Sequence, residues 1–570
     1  MKQIIVREYL ESLKEDGELD LIFPLLLETL DFQIVTRAKE YKGHKQYGKD
    51  IIAYGTDPYD NIKKRFYFEL KGGRARHINA KNYAGDDGIR MSLVEAIDRD
   101  FSDNSIEGFN ELPIKIVIVH NGILQPDVSE TFDGFIKKNF PNGESHFARW
   151  GISTLTKLFS EYLFNEYLLT NEENIRLFKR MLVFMDVPEN SQRDFYILVN
   201  NLISNTKVGK LNKNNFPVHL TRFFETLKLI GLITHQYSKE ANNLEISKNC
   251  VTFLVLQTWY WILSKKIESD NRIISKFKEL MHLHKVILDE YFAKMLPIAI
   301  SEYGLYSESG GRYEQIGFPI RCMDFVKYLI YWFSSMTEEE KQESNSVETL
   351  TTIINNNDGC YRPLLDNHSI SVFLIIQFYI ENGDTKNARV YLIKVFDQIL
   401  LNQKYSKIFP DGNNNPESLI RLIIKGEKSI YYEDTGSMLV GMLFEFLALF
   451  DMKEEYDALK GKFADIELST YIPFTDKMLT QYLPELKESH EETLFKREMY
   501  REGFQSEIRL EAEFESFKHK TFKKDEYSIS YKTKKLGFGK LIDLAHIHYN
   551  TPFFPKKWRG LMGGNPTKAL

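Results

Sequence analysis

The chain has 570 residues, 43% of them hydrophobic and 27% charged, a balance that excludes a disordered or fibrous polypeptide. A single hydrophobic core does not grow to this length, so two to four domains are expected. The formal net charge of −6 gives no overall attraction to nucleic acid, and any site for a polyanion must be a local basic patch.

The first part of the chain alternates helical and strand patterns. A helical pattern from Glu18 is followed by three short strands, FQIVTRA, KDIIAYG and RFYFELKGG. A helix (MSLVEAIDRDF), a nearly all-apolar strand (PIKIVIVHNG), a further helix (SETFDGFIKKNF), a short strand (HFARWG) and a closing helix come next. This order predicts an α/β domain over residues 1–170.

The pattern changes after residue 170. Residues 171–470 consist of long amphipathic segments with almost no strand alternation, which predicts a large, mainly α-helical, solenoid-like array. Two segments, one from Ser369 and one from Met438, have the form of paired helices. Breaks are predicted near Ser191, from Ser307 and from Phe409, where Gly, Asn, Ser and Pro accumulate.

Residues 471–570 form a third predicted segment, with a long charged helix and a basic, aromatic end. In this end Lys534 to Arg559 alternate with aromatic residues such as Phe538 and Trp558. Basic and aromatic residues together bind single-stranded nucleic acid by charge and stacking. The same residues also suit a tail that is anchored on its own domain, and both interpretations stay open.

The cysteines and the apolar stretches indicate in which cellular compartment the protein is expected. Cys250, Cys322 and Cys360 are far apart and form no CxxC pair, which predicts buried thiols in a reducing environment. The N-terminus carries charges throughout, and the most apolar helical stretch, from Phe253, is shorter than the roughly 20 residues that span a bilayer. We therefore expect a cytoplasmic protein without a membrane partner.

Three polar residues stand at the ends of two predicted strands. Side chains alternate across a strand, so Glu69 and Lys71 project from the same face of RFYFELKGG. Asp50 begins the preceding strand, and the turn-forming residues of TDPYDN connect the two strands as a hairpin. The hairpin brings Asp50 close to Glu69 and Lys71, which places two carboxylates within reach of one hard divalent cation.

These residue types suit phosphodiester hydrolysis. Oxygen ligands with open positions suit Mg²⁺, which keeps several waters and binds substrate phosphates. A bound metal acidifies a water molecule, and a neighbouring lysine positions that water or stabilises the added negative charge. The alternative is a solvated hairpin end with a Glu–Lys pair.

The order of these elements resembles that of the PD-(D/E)xK, restriction-endonuclease-like nuclease superfamily: a helix, a strand, a strand that begins with an acid, and a paired strand that carries ExK. The layout is most similar to the Mrr-like branch of this superfamily. The likeness extends through KIVIVHNG and HFARWGISTLTKLF and covers about the first 170 residues. The chain departs from the motif in one respect, because GKD stands where the name of the superfamily has PD.

The resemblance implies a role for each site residue. It makes Asp50 and Glu69 the metal ligands, Lys71 the catalytic lysine, and the backbone carbonyl of Leu70 a further ligand. Members of the superfamily commonly add an acid from the first helix. In this chain Asp20 and Glu28 are the candidates, with Glu18 as a third.

A basic loop follows the ExK strand. Arg74, Arg76, His77 and Lys81 are candidates for contacts with a phosphate backbone. An ordinary solvent-facing basic loop is the alternative.

Together these features predict a Mg²⁺-dependent endonuclease that cleaves DNA, with Mn²⁺ as a substitute metal. The resemblance suggests an effector of bacterial defence against phage or foreign DNA. Because no ATPase or specificity domain is evident, we expect activity to be gated by a regulatory protein partner or by self-association through the helical region. The alternatives are a nuclease that acts on RNA, and a scaffold subunit that binds nucleic acid or protein without cleavage.

Overall fold

A computed structural model describes residues 2–36, 48–85, 88–164, 169, 171–185, 188–209, 211, 216–410, 414–430, 432, 436–463, 469–471, 506–507, 529–553, 555–558 and 561. Contacts between Cα atoms divide the chain into two compact units. The first unit comprises residues 1–254 and 265–283, and the second comprises residues 255–264 and 284–570. In the described residues no helix has the length and apolar character needed to cross a membrane.

The first unit begins with a mixed α/β region. Its helices are α1 (Lys2–Ser12), α2 (Asp20–Thr29), α3 (Ala80–Ala84), α4 (Ile89–Asp98), α5 (Pro126–Asn139) and α6 (Ile152–Tyr162). Its strands are β1 (Gln33–Thr36), β2 (Ile51–Thr56), β3 (Lys63–Lys71), β4 (Ile114–His120) and β5 (Phe147–Trp150). The predicted order of helices and strands is confirmed for this region, and α1 and α3 are two helices that the sequence pattern did not predict.

The five strands form one sheet in the order β1-β2-β3-β4-β5. Strands β1, β2 and β3 pair antiparallel, whereas β3, β4 and β5 pair parallel. The near-continuous apolar sequence of β4 reflects its place between β3 and β5, since all but its first residue are buried.

Both faces of this sheet are packed. On one face Tyr67 and Ile118 join a core with residues of α4 and α5 such as Leu93 and Phe132. On the other face Phe68 lies 5.3 Å from Phe23 of α2, measured between ring centroids. Because strand side chains alternate, Glu69 and Lys71 belong to the face that carries Tyr67.

Helices complete the first unit. They are α7 (Glu172–Val183), α8 (Pro188–Ser204), α9 (Val218–Glu240) and parts of α10 (Leu244–Ser264) and α11 (Asn271–Ile300). The predicted break near Ser191 is wrong, because this residue lies inside α8. Pro188 opens α8 at a position where proline is tolerated, and the buried hydroxyl of Ser191 donates to the Met181 carbonyl, 3.2 Å away.

The described part of the second unit is also mainly helical. It contains α12 (Glu314–Ser334), α13 (Glu338–Glu343), α14 (Ser346–Asn356), α15 (Ser369–Glu381), α16 (Thr385–Leu401), α17 (Pro416–Lys425), α18 (Met438–Leu449) and α19 (Lys453–Lys460). The predicted helix pairs from Ser369 and Met438 are confirmed as α15–α16 and α18–α19.

Two further predictions concern breaks in this unit. The break from Ser307 is right only for its first part, since Gly317 and Pro319 lie inside α12, where buried neighbours such as Phe318 override their weak helix propensity. The break from Phe409 is consistent with the start of α17 at Pro416, although residues 411–413 lie outside the described part.

The C-terminal segment is described only in part. A short pair of strands, β6 (Ser469–Tyr471) and β7 (Ser506–Glu507), precedes α20 (Ile529–Lys535), α21 (Lys540–Tyr549) and α22 (Pro555–Trp558). Most of the predicted charged helix, residues 472–505 and 508–528, lies outside the described residues.

The aromatic residues of the tail are part of the second unit's core. The Trp558 indole donates to Glu445 Oε2 at 2.7 Å, and the Phe553 ring lies 4.5 Å from that of Phe373. Phe538 and Tyr549 are also buried. These contacts favour the anchored tail over a stacking platform for nucleic acid. The three cysteines are free and buried, as predicted.

Candidate active site at the edge of the sheet

Asp50 lies beside the end of β3. Its backbone N–H donates to the Phe68 carbonyl at 2.9 Å, and its Oδ2 accepts the Leu70 N–H at 2.7 Å. The preceding Gly48 has φ +69°, and a Cβ at this position would lie 2.0 Å from the Ser92 carbonyl oxygen of α4. The chain therefore needs glycine at position 48 to pass α4 and bring Asp50 to β3.

Glu69 and Lys71 form a direct ion pair on the neighbouring strand. Lys71 Nζ lies 2.6 Å from Glu69 Oε1, and only 16% and 5% of the two side chains is exposed. The predicted convergence of Asp50, Glu69 and Lys71 at one end of the hairpin is thus seen in the contacts of these residues.

Glu15 is a further acid at this site, and it was not among the acids predicted from the sequence. Its Oε1 lies 3.9 Å from Lys71 Nζ, and its Oε2 accepts the Gly72 N–H at 3.0 Å. A Cβ on Gly72 would lie 2.6 Å from the Glu15 backbone nitrogen. The glycines that follow Lys71 are the signal for this contact, because they indicate that another backbone segment comes close.

The acids predicted from the first helix lie in other environments. Glu18 accepts the Lys14 N–H at 2.6 Å and pairs with Arg222 of α9. Glu28 is exposed. Asp20 Oδ1 is buried without a hydrogen-bond partner among the described residues. Glu15, which lies in the turn before α2, is the acid of this region that pairs with Lys71.

Burial governs the electrostatics of the site. It raises the pKa of Asp50 to about 8, and the charge of Glu69 adds to the increase, although Lys71 and the Leu70 N–H oppose it. Burial also raises the pKa of Glu15, against the opposing effect of Lys71. Burial alone would lower the pKa of Lys71, but the neighbouring carboxylates, above all Glu69, leave it above its usual range.

These residues fit a divalent cation. Glu69 and Glu15 lie 2.6 Å and 3.9 Å from the Lys71 ammonium group, the charge of Asp50 also acts on it, and the raised pKa of Asp50 keeps its proton near neutral pH. The N–H and C=O of one strand residue point to the same neighbouring strand, so the Leu70 carbonyl is also directed to the side of Asp50. Two carboxylates and a carbonyl, with water in the other positions, suit Mg²⁺.

A second acidic cluster also lies in the first unit. Among the described residues, Glu8, Glu225 and Glu279 are the only three potential ligands with atoms within 4.8 Å of one another. Lys228 Nζ lies 2.6–2.8 Å from a carboxylate oxygen of each. The cluster is thus an ion-pair network joining α1, α9 and α11, in which one ammonium group contacts all three carboxylates.

Of the four residues predicted to contact phosphate, two are exposed and two are hydrogen-bonded within the fold. Arg74 and Lys81 are exposed to solvent. Arg76 Nη1 donates to the Glu11 carbonyl at 2.6 Å, and its Nε donates to His77 Nε2 at 3.0 Å. Arg76 therefore binds the end of α1 and His77 binds Arg76, whereas Arg74 and Lys81 are the pair that faces outward.

No protein-family model matches the chain, and searches of curated proteins and of solved structures find no significant match.

Proposed function

We propose that the protein is a Mg²⁺-dependent nuclease that hydrolyses phosphodiester bonds of DNA. The observation that carries this proposal is the meeting of Asp50, Glu69 and Lys71 at one edge of the mixed sheet, with Lys71 Nζ 2.6 Å from Glu69 Oε1. The order of strands and helices around these residues supports the resemblance to the PD-(D/E)xK superfamily.

Each residue has a distinct role in this proposal. Asp50, Glu69 and the Leu70 carbonyl would hold the metal, which when bound polarises the phosphate and acidifies a water molecule. Lys71 stays protonated because the surrounding carboxylates raise its pKa, so it stabilises negative charge on the phosphate rather than acting as a base. Glu15 and Glu69 together orient the Lys71 ammonium group.

The test is cleavage of supercoiled DNA, linear DNA and RNA in the presence of Mg²⁺, Mn²⁺ or EDTA. Asp50→Asn, Glu69→Gln and Lys71→Met should each lower the cleavage rate by at least about 100-fold, the usual effect of removing one catalytic group. Glu11→Gln, which removes a carboxylate paired with Arg7 on α1, is the matched control and should cleave like the wild type.

Three outcomes would contradict the proposal in different ways. Cleavage by all three variants at the wild-type rate would show that the site is assigned wrongly. Cleavage of RNA alone would make the protein a ribonuclease. Binding without cleavage in either metal would favour a scaffold subunit.

We further propose that the helical region gates this activity by binding a regulatory protein or a second copy of the chain. A role in bacterial defence against phage or foreign DNA follows from the resemblance to the Mrr-like branch. The support is the size of the helical region, whose described residues are mainly long helices.

A further inference from the structure

A row of polar residues crosses the carboxyl ends of the three parallel strands. Lys71 of β3 pairs in register with His120 of β4, and Glu69 pairs with Ile118, which in turn pairs with Arg149 of β5. Residues paired in register on parallel strands point to the same face of the sheet. His120 and Arg149 therefore share the face and the edge on which Glu69 and Lys71 lie.

His120 is fully buried and holds the guanidinium of Arg149. Its Nε2 lies 3.1 Å from Arg149 Nη1, and its Nδ1 lies 3.0 Å from the Arg76 carbonyl oxygen. A guanidinium can only donate, so Nε2 carries no proton and the Nδ1–H donates to Arg76. Burial lowers the pKa of His120 to about 4, in agreement with a neutral ring.

The guanidinium of Arg149 contacts the neutral ring of His120, and the Arg149 side chain is exposed to solvent. Within the described part of the chain no carboxylate oxygen lies within 4.0 Å of its guanidinium, and Asp133 of α5 attracts it only from a greater distance. Other arginines of this unit pair directly with acids, as Arg65 does with Asp100 at 3.0 Å. Arg149 is thus oriented by the fold while its charge remains available to an anion.

The position of Arg149 fits a substrate phosphate. Two strand spacings separate β3 from β5, about 10 Å at roughly 4.8 Å each. The rise of roughly 3.4 Å per nucleotide is measured along the helix axis, and successive phosphates wind around that axis and lie farther apart, so this distance corresponds to about one or two nucleotides along one strand. We propose that Arg149 binds a substrate phosphate about one or two nucleotides from the cleaved bond, and that His120 is the positioning residue for its guanidinium. This inference rests on the proposed nuclease function.

The first test measures binding of a short DNA duplex in EDTA, where no metal supports cleavage, between 50 and 200 mM salt. Arg149→Gln should weaken binding and reduce the slope of log affinity against log salt by about 0.9, the loss of one phosphate contact. Arg312→Gln removes the same charge from an exposed position in the second unit and should leave the slope unchanged.

The role of His120 is tested in the same assay. His120→Ala removes the acceptor and should weaken binding, whereas His120→Gln keeps an amide oxygen near the place of Nε2 and should restore part of the affinity. A merely structural role would not predict this rescue. Thermal melting of each variant establishes that folded proteins are compared.

A second measurement uses the wild-type protein and does not depend on folding of a variant. Phenylglyoxal modifies exposed arginines, and mass spectrometry reports the rate at each one. Saturating DNA should slow the reaction of Arg149 at least about threefold and leave that of Arg312 unchanged, since a bound phosphate blocks the guanidinium.

The outcomes separate this inference from the nuclease proposal. Equal modification of Arg149 with and without DNA, or wild-type binding by Arg149→Gln, would overturn the inference while metal-dependent cleavage remained. A wild-type protein that binds no nucleic acid at any salt concentration would overturn both.

Discussion

At the scale of single residues, Asp50 links the chemistry of the site to the stability of the fold. The folded protein holds a proton on this carboxyl up to about pH 8, whereas an unfolded chain releases it near pH 3.8. Between these values the folded state binds more protons, so the free energy of unfolding decreases as the pH rises. Without a metal, the buried carboxylate of Asp50 therefore lowers the free energy of unfolding above neutral pH.

Asp50→Asn should remove this loss of stability. In EDTA at pH 9 we expect the variant to be more stable than the wild type by more than about 1 kcal/mol, the equivalent of roughly one unit of pKa shift. At pH 5, where Asp50 is protonated in the folded wild type, the two proteins should differ much less. Urea denaturation at both pH values measures the difference. An advantage of equal size at pH 5 and pH 9 would contradict the assignment of the raised pKa.

The same carboxyl makes metal binding dependent on pH. A cation at Asp50 must displace the proton that this residue holds below about pH 8. Apparent affinity for Mn²⁺ should therefore increase from pH 6 to pH 8 and level off above that, and binding at pH 7 should release close to one proton. Titration calorimetry in buffers of different ionisation enthalpy counts the protons. Binding without proton release would mean that the metal does not use Asp50.

At the scale of elements, the turn between α1 and α2 depends on α9. Arg222 pairs with Glu18, and its Nη2 donates to the Ser12 carbonyl at 3.2 Å. The same turn carries Glu15, which reaches Lys71 and Gly72. A helix some 200 residues away in the sequence thus holds the segment that completes the candidate site.

Arg222→Gln should lower the free energy of unfolding by about 1.5–3 kcal/mol, the usual value for hydrogen bonds to a charged group. It should also weaken Mn²⁺ binding, because Glu15 no longer orients Lys71 as firmly. A double-mutant cycle with Glu18→Gln isolates the pair. Coupling near zero in both stability and metal affinity would show that α9 does not position this turn.

The close approach at Gly72 gives a second prediction for this turn. A methyl group there would lie 2.6 Å from the Glu15 nitrogen, so Gly72→Ala should destabilise the protein by about 1–3 kcal/mol and lower cleavage. Gly134 of α5 is the matched control, since a Cβ there meets no atom within 4 Å. Gly134→Ala should be neutral or slightly stabilising because alanine is the better helix former. Equal effects of the two substitutions on thermal melting would contradict the packing argument.

At the scale of the whole molecule, the first compact unit extends well beyond the α/β region. Lys228 of α9 contacts Glu8 at 2.8 Å, and Arg222 contacts Glu18. A fragment that ends at residue 170 leaves both acids without these partners and exposes the side of α1 that α9 covers. The first compact unit therefore continues past the change in secondary structure near residue 170, to residue 254.

Residues 1–254 should fold and retain metal-dependent cleavage, whereas residues 1–170 should be much less stable. The physical reason is that the longer fragment keeps all of α9. The two fragments are compared by circular dichroism and by cleavage assays at equal concentrations of folded protein. A short fragment as stable and active as the long one would show that α9 is dispensable for the site.

The sequence alone determined the features that depend on near neighbours in the chain. The two-residue period of β3 placed Glu69 and Lys71 on one face, the short hairpin brought Asp50 to them, and the apolar run of β4 marked a buried strand. These follow from strand geometry, which acts over a few residues.

Tertiary structure decided the features that depend on distant segments. Glu15 reaches Gly72 across 57 residues, and Arg222 reaches Glu18 across 204. Nothing in the local pattern distinguishes Glu15 from Asp20 or Glu28, because only the packing of α1, α9 and β3 selects which acid meets Lys71. In the same way Arg149 is an ordinary strand residue in the sequence, and it becomes an oriented cation because the parallel strands bring His120 beside it.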